Sequence, residues 1–287
     1  MSVQLSKLHA TGNDFLVLSG LGEDDGVVGI LNVHARALCD RHRGIGADGL
    51  IMVTARNDGA DCAMTLFNAD GGIAEMSGNG MRCLAWVAVR DGLGRSGVLT
   101  VDTDGGRRTV EVELDAHRAV RAATVDMGPV TFDPPSIPLE AASAFDLEVS
   151  YHGTEYQGDA AGMGNPHLVL FVDDVDSARV VQHGAHLEHD VRFPKGVNVE
   201  FITAVAPDVI RMRVWERGVG ETLSCGTGAC AAAAVAHRRG LVGERVIVQV
   251  PGGDLTVELG DAIRLGGPVA HVFDVEVDLD ALIEADA

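Results

Sequence analysis

The sequence predicts an α/β (α+β) protein of two pseudo-symmetric domains, each a mostly antiparallel sheet wrapped around a central helix. Three observations predict it: a duplicated motif, one helix-compatible stretch after each copy, and strand-like runs of period two after each helix. The motif at residues 64–80, MTLFNADGGIAEMSGNG, recurs at residues 212–228 as MRVWERGVGETLSCGTG. Its register is constant. Phe67 falls on Trp215, Asn68 on Glu216, Gly72 on Gly220, Gly78 on Gly226 and Gly80 on Gly228, and Ser77 falls on Cys225.

Taken in chain order, the elements pair off. Gly12-Asn13-Asp14-Phe15-Leu16-Val17-Leu18 resembles Gly164-Asn165-Pro166-His167-Leu168-Val169-Leu170, an apolar strand-like run in each half. Gly44-Ile45-Gly46-Ala47-Asp48 loosely matches Lys195-Gly196-Val197-Asn198, which sets Asp48 on Asn198. After the long motif, residues 81–91 and 229–239 are helix-compatible, and each stops at a glycine (Gly92, Gly240) suited to a left-handed C-cap. The alanine-rich second helix predicts tight packing. Two hairpins follow, turning at Gly105-Gly106 and Gly252-Gly253, and residues 110–114 and 255–259 alternate as half-buried antiparallel strands do. Pro134-Pro135 and Pro138 break regular structure, so residues 129–138 are read as the inter-domain crossing. The expected domains are 1–128, joined by a return strand at about 271–287, and 129–270.

Composition narrows the function. A hydrophobic content of 46% with mean hydropathy +0.15 supports packed cores, and 4% aromatics means that Val, Leu, Ile and Ala must fill them. A net charge of −20 argues against nucleic acid or an anionic membrane as partner, and is otherwise that of a self-repelling surface. Residues 1–20 show no apolar stretch behind a basic start, and no apolar run is long enough to span a bilayer. Cys39, Cys62, Cys83, Cys225 and Cys230 are odd in number and fit no zinc spacing, so a reduced, cytoplasmic protein without metal is expected. The only lysines are Lys7 and Lys195, neither in a context that suggests a Schiff base, so the chain reads as cofactor-free.

The chemistry sits in the paired turns. Ser77 and Cys225 each precede a G-x-G that opens a helix, where backbone N–H groups and the positive helix end hold an anion. The same environment is expected to lower the Cys225 thiol pKa toward neutrality. An amino acid carboxylate fits such a cradle, with its α-carbon facing two side chains, as a racemase or epimerase needs. The bland alternative is a pair of tight strand-to-helix connections. A phosphate loop is disfavoured, because neither G-x-x-x-x-G-K nor a clear G-x-G-x-x-G is present.

These residues resemble the diaminopimelate epimerase family. The resemblance rests on Gly12-Asn13-Asp14-Phe15, Phe67-Asn68-Ala69-Asp70-Gly71, Gly78-Asn79-Gly80-Met81-Arg82-Cys83 and Gly164-Asn165-Pro166-His167. It continues through Gly196-Val197-Asn198, Trp215-Glu216-Arg217-Gly218, Gly220-Glu221-Thr222 and Ser224-Cys225-Gly226-Thr227-Gly228, and so covers nearly the whole chain. It implies a cofactor-independent, two-base interconversion of LL- and meso-diaminopimelate on the lysine and peptidoglycan route, and a homodimer. Cys225 matches one acid/base cysteine, and Ser77 stands where the other is expected. His167 and Glu216 match residues that assist the site. Asn13, Asn68, Asn165, Asn198 and Arg217 match side chains that hold substrate, and Gly78, Asn79, Gly226 and Thr227 match the anion-holding turns. At Gly49 some members carry a glutamine that contacts substrate.

The serine is the departure that matters. A tuned thiol is a workable base and an alcohol is not. The resemblance with this change implies an epimerase that is slow or unequal in its two directions. The alternatives are a one-base lyase, a racemase of another amino acid, or an amino acid binding protein that has lost a base. Cys83 and Cys230 are read as buried helix cysteines, and His183, His186 and His189 as a solvated helix face. His167 could be a satisfied core histidine, and Glu216-Arg217 an exposed strand pair.

Overall fold

The computed structural model describes residues 2–21, 32–56, 58–94 and 96–284. Residues 22–31 of the expected first domain, and the last three positions of the expected return strand, lie outside the described residues. Two compact units form: Met1–Val125 with Gly267–Ala287, and Asp126–Gly266.

Unit 1 contains β1 (Ser2–Ala10), β2 (Asn13–Gly20), α1 (Asn32–Cys39), β3 (Gly49–Ala55), β4 (Cys62–Asn68), β5 (Ile73–Ala74), α2 (Gly78–Arg90), β6 (Val98–Thr103) and β7 (Gly106–Leu114). The chain leaves it within β8 (Val120–Gly128). Strand β1 pairs antiparallel with β2, β2 parallel with β3, β3 antiparallel with β4, β4 parallel with β6, and β6–β7–β8 is an antiparallel meander. Helix α2 packs on this sheet with Met81, Cys83, Leu84, Ala85, Val87 and Ala88 fully buried.

Unit 2 repeats the order. It holds β9 (Leu147–Tyr151), β10 (Thr154–Gly162), β11 (Pro166–Phe171), α3 (Val180–Leu187), β12 (Asn198–Ala206), β13 (Val209–Glu216), β14 (Gly220–Thr222), α4 (Gly226–Arg238), β15 (Arg245–Val250), β16 (Gly253–Glu258) and β17 (Ile263–Pro268). Here β10–β11 is antiparallel, β11–β12 parallel, β12–β13 antiparallel, β13–β15 parallel and β15–β16–β17 antiparallel, the sequence of pairings seen in unit 1. In α4, Ala229, Ala231, Ala232, Ala233, Val235 and Ala236 are fully buried. Alanine loses no side-chain entropy in a helix and lets the sheet approach it closely. The fold is thus the mixed α/β, sheet-dominated class expected, with one buried helix in each unit.

Two local differences from the sequence reading have clear causes. Both central helices start three residues earlier than expected, at Gly78 and Gly226, because Ser77 and Cys225 cap them and the glycines form the first helical turn. The proline-rich stretch, expected to break regular structure, carries short structure of its own and is packed. Thr131 bridges Gly162, Pro134–Ser136 forms a 3-10 turn, and Ile137 is buried in the core of unit 2. Beyond unit 2, β18 (Ala270–Asp278) runs back antiparallel along β1, with Leu5 opposite Val275, and α5 (Leu279–Glu284) follows it. No helix among the described residues is long and apolar enough to cross a membrane.

Strand register fixes which residues of the two halves are equivalent. Phe15 lies opposite Gly49 and Leu50 opposite Phe67, while His167 lies opposite Asn198 and Val199 opposite Trp215. Gly49 is therefore the counterpart of Asn198, one residue on from the looser sequence match through Asp48. By the same count Phe15 corresponds to His167, Ile51 to Glu200 and Asn68 to Glu216.

Candidate active site

Cys225 lies three residues beyond the end of β14 and caps α4 from an extended backbone, φ −119° and ψ 115°. Its Sγ accepts from the Gly228 N–H at 3.4 Å and lies 3.6 Å from Thr227 Oγ1. The amides of Gly226 and Thr227 open the helix and have no acceptor within it, as the first amides of any helix do. Glu216, at the end of β13, accepts from Thr222 Oγ1 at 2.5 Å and lies against the thiol. Burial raises the Glu216 pKa, and the hydrogen bonds from Thr222 and Cys225 offset that only in part. Among the strand residues behind the turn, His167 is fully buried, with Nδ1 2.7 Å from Glu200 Oε1 and Nε2 2.8 Å from Asn165 Oδ1. Asn165 in turn reaches Thr227 Oγ1 at 3.4 Å. A hydrogen-bonded chain thus runs Glu200–His167–Asn165–Thr227–Cys225.

The thiol does not behave as the sequence reading expected. Burial pushes the Cys225 pKa well above 9.0, and the nearby Glu216 and Glu200 push it the same way. The Thr227 and Gly228 hydrogen bonds work in the expected direction but are outweighed. Helix-end chemistry is visible in the sequence, whereas full desolvation beside two carboxylates is not.

Asn198 and Arg217 complete this half. Asn198 is buried, donates to the Pro166 carbonyl at 2.9 Å and accepts from the Arg217 N–H at 2.9 Å, so it ties β11 to β13. The Arg217 side chain is exposed, crosses Gly196 and donates to the Lys195 carbonyl at 3.2 Å. A Cβ on Gly196 would stand 3.1 Å from Arg217 Cδ, and that glycine also has φ +71°.

Ser77 holds the corresponding place in unit 1. Its backbone is extended, φ −139° and ψ 123°, and its Oγ accepts from the Gly80 N–H at 3.0 Å. Behind the first turn formed by Gly78 and Asn79, the chemistry differs. The equivalents of His167, Glu200 and Glu216 are Phe15, Ile51 and the exposed Asn68. Ile51 lies under Gly80, 3.1 Å from where a Cβ would be. At Gly49 a Cβ would fall 2.7 Å from the Phe67 carbonyl and 3.3 Å from the Phe15 ring, so the bare glycine suits this packing.

Polar groups instead hold the front of this turn. Arg82 donates to Asn79 Oδ1 at 2.6 Å, Asn79 to Asn13 Oδ1 at 3.1 Å, and Asn13 to Asp48 Oδ2 at 2.6 Å. Arg41 joins Asp48 at 2.8 Å to Asp14 at 2.6 Å, and Lys7 pairs with Asp14 and the Gly46 carbonyl. Burial alone would raise the Asp14 pKa, but hydrogen bonds from Arg41 and Lys7, and their charges, hold it at about 2 against 3.8 when free. A carboxyl depressed this far contributes stability that, discounted for solvent screening, is about 1–2 kcal/mol, fully present above the unfolded value and lost as pH falls through the folded one. Replacing Asp14→Asn is expected to cost about 1–2 kcal/mol at pH 7, since solvent screens the half-exposed Arg41, with the gap between variant and parent closing by about pH 2. Urea titrations at neutral and acid pH check this, and an equal gap at both would overturn it.

Sequence reasoning missed Glu200, Asp48 and Arg82 as members of the site. It also misjudged His183, which is buried with Nδ1 2.7 Å from Tyr156 Oη and its ring packed edge-on to Tyr151, while His186 stacks on Tyr151 and stays exposed. Cys83 and Cys230 are fully buried in their helices, and burial raises the Cys83 pKa to about 12.

Comparison with known proteins bears on this geometry. A family model described as diaminopimelate epimerase matches residues 5–132 and 160–269. The diaminopimelate epimerase of Thioalkalivibrio sulfidiphilus is 40% identical over 288 residues, covering 97% of this chain and 100% of that protein. That of Alkalilimnicola ehrlichii is 41% identical over 287 residues, covering 98% and 100%. Among solved structures, a hydroxyproline epimerase from Agrobacterium vitis superposes with a TM-score of 0.72 at 18% identity, covering 96% of this chain and 92% of that one. A probable proline racemase from Agrobacterium radiobacter gives 0.73 at 19%, covering 97% and 93%. The last two share the fold.

Proposed function

Since the chain belongs to the diaminopimelate epimerase family, a family of isomerases, we propose that it interconverts LL- and meso-diaminopimelate without a cofactor, with Cys225 as one acid/base and Ser77 in the place of the other. The observation that carries this is the Cys225 turn. A thiol heads a helix whose opening amides are free of intrahelical acceptors, with Glu216, Thr227 and the His167–Asn165 pair gathered round it.

In this reading the substrate α-carboxylate lies on the helix-opening amides of Gly226 and Thr227, and its α-ammonium brings a positive charge among the carboxylates. That charge offsets the two acids that hold the thiol up and lets Cys225 ionise as substrate binds, its proton passing to solvent and balancing the one that Ser77 later recovers. The thiolate takes the α-proton, the Cα–H electron pair passes into the carboxylate, and the helix-end amides stabilise the resulting dianion. A proton supplied to the other face completes inversion. Ser77 supplies it from Oγ and is left an alkoxide, which must recover a proton from water or a neighbour before the next turnover. In the reverse direction Ser77 has to accept the α-proton. Within its own unit, Phe15, Ile51 and Asn68 offer no base where unit 2 has His167, Glu200 and Glu216. The two directions are therefore unequal.

Asn13, Asn68, Asn79, Asn165, Asn198 and Arg217 are proposed to hold the remaining polar groups of the substrate, with Gly78 and Asn79 forming the second carboxylate-facing turn. Freedom from pyridoxal is supported by the lysines. Lys7 is buried in its pairing with Asp14, and Lys195 is exposed on a loop.

The unequal turns favour one rival, a one-base enzyme that exchanges the α-proton without inversion. Incubation with LL-diaminopimelate in D₂O separates the two. Meso product carrying solvent deuterium supports epimerisation, exchange with retained configuration supports the one-base reading, and the absence of exchange would sink both.

A further inference from the structure

Glu200 is a carboxylate with no access to solvent, on a strand where its neighbours Val199 and Phe201 are equally buried. Such a group is costly unless it is paired and hydrogen-bonded. Its surroundings show what it is paired with. Strand β12 runs parallel to β11 with Asn198 opposite His167, so side chains at 198 and 200 share the face that carries the imidazole. Oε1 lies 2.7 Å from His167 Nδ1, while Oε2 has no hydrogen-bond partner among the described residues.

The first turn of α4 is shaped round this carboxylate. A Cβ on Gly228 would lie 2.6 Å from Glu200 Oε1 and 3.3 Å from Cys225 Sγ. The second glycine of the G-x-G thus has a reason beyond turn geometry, since any side chain there would drive the carboxylate off the imidazole.

We infer that Glu200 is a positioning residue for the acid/base group. It holds His167 by Nδ1, so that Nε2 is committed to Asn165 and, through Thr227, to Cys225, and its charge acts directly on the thiol. This rests on the proposed epimerase reading for its role in turnover, but not for its effect on the histidine and the cysteine. A carboxylate bonded to one imidazole nitrogen fixes ring orientation and which nitrogen is presented to the other side. Groups facing Cys225 from every packed element are Glu216 on β13, Glu200 on β12 and, through Asn165 and Thr227, His167 on β11. Glu200 is the one that touches both the histidine and the helix turn.

The test is Glu200→Gln, which keeps shape and an acceptor for Nδ1–H but removes the charge, beside Glu200→Asp, which keeps the charge and withdraws it by one methylene. Three readouts are taken on the purified full chain. Iodoacetamide labelling of Cys225 against pH, followed by peptide mass spectrometry, is expected to shift to lower pH in the Gln variant, giving roughly tenfold faster labelling at a fixed neutral pH. The low-field proton resonance of a carboxylate-bound imidazole N–H is expected to be lost in Gln and kept in Asp. Turnover of LL-diaminopimelate is expected to fall roughly tenfold to a hundredfold in kcat, because loss of the fixed His167–Asn165–Thr227 chain outweighs the larger thiolate fraction, with KM within about twofold.

Unchanged labelling with an unchanged resonance would overturn the inference, as would a rise in KM alone. Cys83 and Cys230 serve as internal controls. If they react along with Cys225 in the Gln variant, the fold has loosened and Glu200 is structural only. Should the parent protein not epimerise diaminopimelate, the functional reading fails, while labelling and resonance still decide Glu200.

Discussion

Cys225→Ser is expected to lower α-proton exchange from LL-diaminopimelate by at least about 10³-fold while leaving the fold as stable as before or slightly more so. The opposed signs make the test selective. Serine is a strong helix N-cap and its hydroxyl accepts from a third-residue amide at a shorter distance than sulfur, as Ser77 does with Gly80 at 3.0 Å against 3.4 Å for Cys225 and Gly228. Helix α4 keeps its cap, yet the group that takes the proton is replaced by one far too weakly acidic to serve as the resting base. Deuterium incorporation followed by proton NMR measures the loss, and thermal unfolding measures the cap. Residual exchange within about tenfold of the parent would move the base elsewhere, with Glu216 the nearest candidate. In the parent, raised thiol pKa has a further consequence of definite sign. The rate started by Cys225 should climb as pH rises, because the thiolate fraction grows.

The mirror substitution, Ser77→Cys, is expected to raise kcat by roughly 10²-fold in the slower direction and to cost about 1 kcal/mol of stability. For a unit of this size that is a drop of roughly 2–4 °C in Tm. The gain follows because a thiol restores a group able both to give and to take a proton. The loss follows because sulfur caps α2 less well than the hydroxyl now bonded to Gly80. Full progress curves from each diastereomer, with calorimetry on both proteins, give all the numbers needed. A variant less stable but no faster would mean that Ser77 only caps a helix.

Much of this architecture is written in the chain because the fold is built twice. A repeat supplies its own control: Gly92 and Gly240, Gly105-Gly106 and Gly252-Gly253, and the paired caps each confirm the other, so helices and hairpins are legible without structure. The polar groups at the turns were legible for the same reason. Glu200 was not, since Val-Glu-Phe-Ile reads as ordinary half-buried alternation, whereas this strand is covered on both faces. The available signal was a lone carboxylate flanked by the apolar residues Val199, Phe201 and Ile202. The direction of the Cys225 pKa was illegible because it depends first on full burial of the thiol, and then on two acids that the sheet brings in from β12 and β13. His183 escaped likewise, since its burial depends on Tyr151 and Tyr156 from neighbouring strands.

The return of β18 to β1 sets an order of assembly during synthesis. Every strand of unit 2 has been made once residue 268 leaves the ribosome, but unit 1 still lacks the strand that pairs with Leu5 and its neighbours. The half encoded second is therefore the first that can be complete, and the half encoded first waits with the β1 edge open. An open edge of this kind is where a nascent chain is most exposed to wrong pairing, so the vulnerable interval ends only when residues 270–278 emerge.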